Sequence, residues 1–469
     1  MLMNMQGKTF ICNALLAYVR SKCNIALPCA SSGIAATNFK GGRTVHSRFD
    51  VPIKIYHCST CNLTRQSAKF KLIEEAKVII WDEAPMQQRW IMECVDRTLR
   101  ELLGNDKPFG GKTIIFSGDF RQVSCVIPRA GKAQIVERTF TNSYLWKYVK
   151  KLKLFDNERI KRMKNISADE RDRLKCFGDF LLQIGEGRYP NDDQLIEIPS
   201  YMTSQSKQVD GFIDELYGDL KQINPKQMDL SILKTAILTP KNEHMRQINR
   251  IAIKKFKGKA KEYLSTNEVK DKRNICTYTT EYLNSLEING LPEHSLVLKI
   301  GAPVMVLRNY DPYNGVCNGT KGIVSRLSRN VIEIIIEDVN NEPKAVLLHP
   351  WDLDPSDPQI GVEFRRHQFP ISLAFAMTIN KSQGQTLNKV GLYLAEPVFG
   401  HGQLYVALSR VTHPDNVKIL IVEAGHQGKM KANSKSMYTK NVVYHEMLIS
   451  AGILQHIQSK DVHSKLKSK

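Results

Sequence analysis

Long apolar runs are missing from this sequence of 469 residues. No stretch approaches the ~18 consecutive apolar residues that a membrane-spanning helix needs. The first nine residues also lack the positively charged and then apolar pattern of a secretion signal. We therefore expect neither a membrane protein nor a secreted one.

Clustered cysteines are missing: the ten cysteines are scattered singly, apart from the close pair Cys58 and Cys61. A structural zinc site combines two such pairs, or one pair with two histidines, and His57 does not have that spacing. The pair gives only weak support for a metal site. We expect reduced thiols, as in a cytosolic or nuclear protein.

Acidic residues are too few to balance the basic ones. The chain has 67 Lys and Arg against 47 Asp and Glu, which gives a net charge of +20 and a pI near 9.4. Such an excess favours a polyanionic partner, because clustered cations release the counterions of a phosphate backbone. An ordinary basic protein is the alternative. The lysine-rich end at 447–469 is more typical of a solvated tail than of a binding site.

What the sequence does contain is an alternation of short β-branched runs with helical stretches. Residues 25–30, 76–81 and 113–117 have the composition of buried strands. This alternation predicts an α/β fold with a doubly wound parallel sheet, whose ligands lie at the carboxyl ends of the strands. A second set of strands is predicted at 234–238, 371–376, 389–394 and 417–422.

Residues 301–350 have a different sequence pattern, in which short predicted strands are separated by Asn-Gly turns. They predict a small β-barrel inserted into the second α/β domain. The predicted organisation is a first α/β domain at 1–155, a helical linker at 156–230, a second α/β domain at 231–307 and 369–446, the inserted barrel at 308–368 and the basic tail at 447–469.

The chain begins with half of a phosphate-binding loop. Gly7-Lys8-Thr9 opens an amphipathic run and fits the end of the pattern G-x-x-x-x-G-K-[ST]. In that pattern backbone N–H groups wrap the phosphates, the lysine neutralises them and the hydroxyl binds Mg²⁺. The first glycine position falls on Leu2, and we expect no strand before the loop. A three-residue match occurs by chance in many proteins, so its weight depends on the segments downstream of it.

An apolar strand at 78–81 leads into Asp82 and Glu83. Carboxylates at this point suit an ATPase, with Asp82 at the metal and Glu83 polarising the attacking water. An acidic pair that caps a helix after a core strand is the alternative. The upstream Gly7-Lys8-Thr9 favours the ATPase interpretation.

Three further segments carry polar groups suited to the same chemistry. Gln122 follows the strand at 113–117, where it can contact a γ-phosphate and the catalytic water, although a merely polar loop fits equally well. Arg410 ends a helical segment and suits an arginine finger, with a surface arginine at a helix end as the alternative. Residues 378–387 are rich in amide, hydroxyl and ammonium donors, which suit phosphates and a nucleic-acid strand.

Ten segments occur in the order found in superfamily-one DNA helicases: GKT (7–9), ASSGIAAT (30–37), GGRTVHS (41–47), WDEAPM (81–86), GDFRQV (118–123), LTPKNEHMRQIN (238–249), GAPVMVLRN (301–309), NGTKGIV (318–324), FAMTINKSQGQTL (375–387) and HGQLYVALSR (401–410). The chain most closely resembles the PIF (petite integration frequency) family of eukaryotic 5′-to-3′ DNA helicases, including the branch that Helitron transposons encode. The likeness extends from residue 1 to about 446. It implies two RecA-like motor domains of the P-loop NTPase type with an inserted small β-barrel, and ATP and Mg²⁺ as cofactors.

The resemblance also implies roles for single residues. At the nucleotide these are Gly7, Lys8, Thr9, Gln383 and Gly384 for binding, Thr9 and Asp82 for Mg²⁺, and Glu83, Gln122, Arg159 and Arg410 for catalysis. Along the DNA strand they are Ser32, Gly33, Thr44 and His46 in the first motor domain, and Thr378, Lys381 and Gln383 in the second. Arg159 and Arg410 would face ATP across the cleft between the domains.

The chain departs from the family in its loop. Family members have G-P-G-G-T-G-K-T after a strand, together with an upstream glutamine motif, whereas this chain starts at the loop and has Leu2 and Met5 within it. Their Cβ atoms lie where backbone approach to phosphate favours glycine. We expect an N-terminally truncated copy, either a misassembled gene or a genuine start in a decayed transposon-derived gene.

The predicted function is an ATP-dependent 5′-to-3′ DNA helicase that acts on single-stranded and forked DNA. The resemblance implies roles in DNA repair, recombination and telomere maintenance or in transposon replication, in the nucleus or alternatively the mitochondrion. It identifies no protein partner. A catalytically dead single-stranded-DNA-binding remnant is the main alternative. An unrelated kinase or GTPase is a weaker one, since it leaves 401–410 unexplained.

Overall fold

The structure is a computed structural model of the chain. It describes residues 2–3, 7–154, 166–192, 194–223, 229–270, 278–338, 342–355, 361–429 and 436–455. Contacts divide the chain into two compact units. The first consists of Met1–Glu197, Val398–Val406 and Lys440–Lys469, and the second of Ile198–Pro397 and Ala407–Thr439.

The first unit is built on a parallel sheet. Its strands are β1 (Leu2–Met3), β2 (Ala26–Ala30), β3 (Arg43–Thr44), β4 (Val78–Asp82), β5 (Thr113–Gly118) and β6 (Leu152–Lys153). They lie in the order β3-β2-β4-β5-β1-β6, and their pairings are parallel. The helices are α1 (Lys8–Ser21), α2 (Gly33–Thr37), α3 (Val45–Phe49), α4 (Ala68–Glu75), α5 (Arg89–Leu103), α6 (Lys132–Glu137) and α7 (Ala168–Glu186), followed by a hairpin of β7 (Asn191–Asp192) and β8 (Leu195–Ile198). This alternation confirms the predicted α/β class.

The inner strands are buried, as in parallel sheets whose two faces are both covered. Every residue of β2 and β4 is buried. In β4 the side chain of Trp81 is fully buried, with its ring centroid 5.9 Å from that of Phe49 and 5.6 Å from that of Phe116. This packing fixes the strand whose carboxyl end carries the predicted acidic pair.

Strand β1 corrects an expectation. We expected no strand before the phosphate-binding loop, but Leu2 and Met3 pair in parallel with Ser117 and Gly118 on one side and with Leu152 and Lys153 on the other. A two-residue strand has no periodicity that a sequence can display. The backbone of β5 favours it, because Ser117 and Gly118 are buried and buried N–H and C=O groups need partners.

The second unit contains the strands between residues 235 and 421. They are β9 (Thr235–Thr239), β10 (Lys261–Leu264), β11 (Thr266–Val269), β12 (Ser295–Leu298), β13 (Pro303–Val306), β14 (Lys321–Leu327), β15 (Ile332–Glu337), β16 (Pro343–Leu348), β17 (Trp351–Leu353), β18 (Phe364–Gln368), β19 (Ile371–Leu373), β20 (Ala376–Thr378), β21 (Lys389–Leu394) and β22 (Val417–Ile421). Its helices include α8 (Val209–Tyr217), α9 (Asn242–Lys255) and α10 (Thr280–Ser285).

Four of these strands form a second parallel sheet, in the order β20-β9-β21-β22. The predicted single strand at 371–376 is wrong. It is divided between β19, which lies in an antiparallel sheet, and β20, which lies in the parallel one. The break falls at 374–375, where the Phe375 carbonyl accepts hydrogen bonds from the Ile237 amide and the Tyr217 hydroxyl. The run is apolar except for Ser372, and no turn residue interrupts it, so the sequence gives no sign of this break.

The predicted insertion corresponds to antiparallel strands around an apolar core. A five-stranded sheet has the order β16-β15-β14-β13-β19, a three-stranded sheet the order β11-β18-β17, and β10 pairs with β12. The core side chains include Val306, Val324, Ile334 and Ile371. These strands extend from residue 261 to residue 373 and so reach beyond the predicted limits of 308–368.

The chain returns to the first unit near its end. Helix α11 (Gln403–Leu408) begins in the first unit, and β23 (Met437–Lys440) is followed by α12 (His445–Ser450), whose Met447 and Leu448 lie in the core of that unit. The contact-defined division therefore differs from the predicted boundaries: the linker at 156–230 divides between Glu197 and Ile198, and residues 440–446 join the first unit.

None of the described helices has both the length and the apolar content needed to cross a bilayer.

Candidate nucleotide site and nucleic-acid interface

A cluster of charged side chains lies at the carboxyl ends of β4 and β5. Helix α1 begins at Lys8, directly after Gly7, whose φ of 83° is a left-handed conformation that favours glycine. The Lys8 Nζ atom lies 3.9 Å from Glu83 Oε1. The structure thus brings the predicted phosphate lysine to the predicted acidic pair.

Lys8 is buried among three carboxylates. Burial alone would lower the pKa of Lys8, but the negative charges of Glu83, Asp82 and Asp119 raise it above its ordinary value. Among the described residues, the buried atoms Lys8 Nζ, Asp82 Oδ1 and Gln122 Oε1 have no hydrogen-bond partner. Buried polar groups in folded proteins are nearly always hydrogen-bonded. The cluster is therefore suited to a polar ligand that the described part of the chain does not supply.

The backbone holds Glu83 in an unusual conformation. Its φ of 51° and ψ of 38° lie in the left-handed region, which is uncommon for a residue with a side chain. The Ser31 hydroxyl donates to the Glu83 carbonyl at 2.6 Å, and the Ser31 amide donates to the Asp82 carbonyl at 3.1 Å. Strained residues of this kind persist where the surroundings fix them, and they concentrate at functional sites.

Gln122 lies in the turn after β5, and a buried polar network holds this turn. The Tyr405 hydroxyl donates to Asp119 Oδ2 at 2.8 Å, and Arg121 Nε donates to Glu186 Oε1 at 2.9 Å. Burial would raise the pKa of Asp119, but Arg121 and Lys8 lower it. These residues connect the phosphate cluster to α7 and to α11 within the first unit.

His401 closes the same turn. Its Nε2–H donates to the Phe120 carbonyl at 2.7 Å, and its Nδ1 accepts from the Tyr444 amide at 2.9 Å. The neighbouring Gly402 has a φ of 72°, and a Cβ atom there would lie 2.3 Å from the Arg121 carbonyl oxygen. The backbone can approach the turn this closely only as glycine.

Sequence reasoning missed Asp119, Arg121, Glu186, His401 and Tyr405 as functional candidates. Four of them lie inside quoted segments, 118–123 and 401–410. For Asp119 and Arg121 the available sign of a functional role was two opposite charges close together in a segment that has no helical periodicity. Nothing in the sequence indicates that Glu186, at the end of a nineteen-residue helix, faces them.

In the second unit, Arg410 is buried against the turn at 382–385. Its Nη1 donates to the Gln385 carbonyl at 3.0 Å and its Nη2 to the Ser409 hydroxyl at 2.9 Å. Gln383 is also buried and Gly384 has a φ of 80°. The structure therefore groups three of the predicted nucleotide residues, Gln383, Gly384 and Arg410, around this turn.

Thr378 and Lys381 lie just before that turn. Thr378 ends β20, and Lys381 belongs to the short 3-10 helix Ile379–Ser382. Burial lowers the pKa of Lys381, and the charges of Arg308 and Arg246 lower it further. Lys381 is thus part of a cationic group in the second unit.

The predicted DNA residues of the first unit lie at the starts of two short helices. Ser32 caps α2 by accepting from the Ala35 amide, and Gly33 is the first residue of that helix. Thr44 caps α3 in the same way through the Ser47 amide. His46 is partly buried, which lowers its pKa. Both hydroxyls keep their own hydrogens for another acceptor.

The predictions for Arg159, for Thr9 and for a cysteine-based metal site receive little support from the described residues. Arg159 lies outside the described residues, so its role stays a prediction. Thr9 is exposed at the second position of α1. In the described part of the chain no group of three or more His, Cys, Asp or Glu side chains could hold a metal ion, and Cys61 contacts Cys94 with 3.6 Å between the sulfurs.

Comparisons with known proteins identify related sequences. The profile of the PIF1-like helicase family matches residues 4–195, and that of the DNA helicase Pif1 2B domain matches residues 281–327. The chain is 28% identical to the ATP-dependent DNA helicase Pif1 of Campylobacter jejuni, an alignment that covers 88% of this chain and 86% of that protein. It is 25% identical to the ATP-dependent DNA helicase PIF1 of Danio rerio, of which the alignment covers 57%.

Solved structures share the fold. The Bacteroides Pif1 helicase in complex with ADP-AlF3 and single-stranded DNA superposes with a TM-score of 0.62 at 23% identity, covering 90% of this chain and 89% of that one. A structure of two coordinating Pif1 helicases at forked DNA gives 0.61 at 22% identity, covering 90% and 88%. The predicted pair of RecA-like domains is thereby confirmed. In sequence motifs, in fold and in both profile matches, the chain belongs to the PIF1-like helicase family.

Proposed function

We propose that this chain is an ATP-dependent DNA helicase that moves along single-stranded DNA in the 5′-to-3′ direction. The observation that carries the proposal is the buried cluster of Lys8, Asp82 and Gln122, whose polar atoms have no hydrogen-bond partner among the described residues. A phosphate chain with its metal supplies the acceptors and the positive charge that such a cluster needs.

In this mechanism each side chain has a separate task. Lys8 binds phosphate oxygens and offsets their charge, Glu83 accepts a proton from the attacking water, and Gln122 orients that water. For Arg410 the proposal adopts the role that the family resemblance implies, which is to stabilise the charge that spreads over the transferred phosphoryl group. Among the described residues the buried Asp82 Oδ1 has no hydrogen-bond partner, which fits a Mg²⁺ site that the Thr9 hydroxyl would complete, and the ion would neutralise developing negative charge.

The proposed substrate is single-stranded and forked DNA. A net charge of +20 favours a polyanion, and the Bacteroides helicase of the same fold was solved with single-stranded DNA. Roles in repair, recombination and telomere maintenance, or in transposon replication, belong to the proposal, as does a location in the nucleus or the mitochondrion.

A second candidate is a DNA-binding protein without hydrolysis. Its support is Leu2, which occupies the first glycine position of the loop pattern and lies in strand β1. A strand residue at that position offers fewer N–H groups to a phosphate than a glycine loop does. The two candidates share every motif after the loop and differ in ATP turnover.

The deciding experiment measures phosphate release with and without single-stranded DNA. We expect DNA to stimulate release by the unaltered chain, and Glu83→Gln to reduce it by about 100-fold or more because the general base is lost. Glu75→Gln, at an exposed position of α4, is the matched control and should behave like the unaltered chain. DNA binding with release no higher than in Glu83→Gln would instead establish the second candidate.

Polarity needs its own measurement. A duplex with a 5′ single-stranded tail should be unwound, and the same duplex with a 3′ tail should not. Unwinding of the 3′-tailed duplex alone would refute the proposed direction.

A further inference from the structure

A cavity of about 510 Å³ lies within the second unit. Helix α9 lines part of it, and the segment 284–297, which begins in the last turn of α10, lines another part. Pockets of 300–1,000 Å³ are the size that proteins use for small ligands and nucleotides. None of the residues proposed for ATP chemistry lines this cavity.

The cavity is apolar inside. Its lining includes Ile253, Leu286, Ile288, Leu296 and Leu373, side chains of the kind on which a flat aromatic ring packs. Asn242 and Asn289 add amide groups to this surface. Amides can donate to and accept from the edge of a nucleobase.

Arginines hold the segment at 284–297 in place. Arg366 is fully buried and donates to the carbonyls of Leu283 at 2.7 Å and Pro292 at 3.0 Å. Arg308 Nη1 donates to the Gly290 carbonyl at 2.7 Å. Because these bonds are made within the protein, the cavity wall is pre-organised and binding would need little ordering of the chain.

Cationic side chains contribute to the lining of the cavity. Lys381 lines it, and among the described residues no hydrogen-bond or ion-pair partner of its ammonium is found. The charges of Arg246 and Arg308 act on Lys381 strongly enough to lower its pKa further, after burial. The charge of Arg246 is paired with that of Glu287, whose Oε2 lies 2.7 Å from Arg246 Nε. Among the described residues, no carboxylate forms such a pair with Lys381. A cation in this position is stabilised by a bound anion.

We propose that this cavity binds one nucleoside phosphate, with the base among the apolar side chains and the phosphate on Lys381, beside Arg246. Packing of the base on apolar side chains and a charge-assisted phosphate contact act together here. The inference rests on the proposed function, since it gives a nucleic-acid enzyme a pocket for a single unstacked nucleotide. The nucleotide can be a residue of the DNA strand or a free mononucleotide.

The test uses a photoreactive base. We would bind a short oligo(dT) that carries one 4-thiothymidine, and separately saturating 4-thiothymidine monophosphate, irradiate, and map the modified peptides by mass spectrometry. We expect modification within 284–297 or α9. Modification by the oligonucleotide alone assigns the pocket to the strand, and modification by both probes assigns it also to a free nucleotide.

Two variants probe the two halves of the site. Lys381→Gln should lower the yield at the cavity about tenfold through loss of the phosphate contact. Leu286→Trp should abolish it by filling the apolar space, provided that its melting temperature stays near that of the unaltered chain. Lys207→Gln, at an exposed position of the same unit, is the charge-matched control and should change nothing.

The outcomes separate this inference from the proposed function. Modification elsewhere with both probes, or a yield that Lys381→Gln and Leu286→Trp leave unchanged, overturns the pocket even when DNA-stimulated phosphate release is normal. Absence of phosphate release with modification at the cavity by the mononucleotide refutes the helicase activity and leaves the pocket standing.

Discussion

His401 is a single side chain whose charge state the fold decides. Its Nδ1 accepts from a backbone amide and its Nε2–H donates to a backbone carbonyl, so the two bonds require the neutral ring. Burial lowers its pKa to about 4. A proton on Nδ1 would place N–H against N–H inside the protein.

This geometry predicts a loss of stability in mild acid. In the unfolded chain the histidine has a pKa of ~6.5. As the pH falls from there toward 4, the unfolded chain binds a proton at this residue, whereas the folded chain does not. The contribution of the neutral His401 ring to the free energy of unfolding is fully present above pH ~6.5. It is lost progressively below that pH, by roughly 3 kcal/mol when the pH reaches 4. Urea unfolding of the unaltered chain and of His401→Gln, at several pH values, measures it.

Glutamine supplies one donor and one acceptor but does not titrate. The slope of unfolding free energy against pH should therefore be smaller in His401→Gln by about one proton between these limits. Equal slopes in the two proteins would show that His401 is not held neutral.

Sequence reasoning found the residues of the site whose type and spacing carry chemistry. Lys8, Asp82 and Glu83 were predicted from a loop pattern and a strand end, and the structure brings them together. His401 and Tyr405 were not, because their importance arises from burial against the turn at 118–122. Spacing along a chain does not report which polar group faces another across the fold.

At the scale of elements, α11 supports the turn that carries Gln122. The Tyr405 hydroxyl is the group on α11 that reaches Asp119. We predict that Tyr405→Phe lowers the turnover number for ATP by about tenfold, since the loss of a hydrogen bond to a charged group, ~1.5 kcal/mol, loosens the turn. KM for ATP should change little, because the phosphate-binding Lys8 keeps its position.

The control removes another buried tyrosine hydroxyl. Tyr217 donates to the Phe375 carbonyl at 2.6 Å in the second unit, and Tyr217→Phe loses a comparable bond without touching the turn. If both variants lose stability alike and neither loses turnover, Tyr405 has a structural role alone.

Strand β18 offers a comparison of two adjacent arginines. Arg366 is fully buried and donates to three carbonyls and to Asn267, whereas Arg365 forms surface ion pairs with Asp352 and Asp354. We predict that Arg366→Met lowers the free energy of unfolding by about 3 kcal/mol, because it leaves buried carbonyls without donors. Arg365→Met should cause a much smaller change.

Thermal unfolding of both variants, followed by circular dichroism, measures the difference. A melting temperature for Arg366→Met equal to that of Arg365→Met would contradict the role of Arg366 in holding the segment at 284–297.

The elements themselves were predicted unevenly. The buried strands β2, β4 and β5 have the composition that parallel sheets require, and their predicted positions agree with the structure. Strand β1 and the division between β19 and β20 were not foreseen. Two residues are too few for a pattern, and a mainly apolar run without turn residues does not reveal where a chain leaves one sheet for another.

For the whole molecule, the excess of positive charge should govern DNA affinity. We predict that the logarithm of the binding constant falls linearly with the logarithm of salt concentration, and that Lys381→Ala reduces the slope by about one unit because one counterion fewer is released. His46→Ala should weaken binding but leave the slope unchanged near neutral pH, because burial lowers the pKa of His46 and keeps the ring neutral.

Fluorescence anisotropy with labelled oligo(dT) over a range of salt concentrations tests both variants. A slope that does not respond to Lys381→Ala would remove this residue from the phosphate contacts. A slope reduced by His46→Ala would show that the ring is charged when DNA is bound.

The first unit is assembled from parts of the chain that are far apart in sequence: residues 1–197, 398–406 and 440–469. During synthesis the amino-terminal part leaves the ribosome first, but Tyr405 and His401 emerge only after the intervening second unit. Until then Asp119, Arg121 and Glu186 form a polar group without its covering segment. Although domains usually fold in order of synthesis, this arrangement predicts that the unit begun first is completed last, after most of the second unit has been translated.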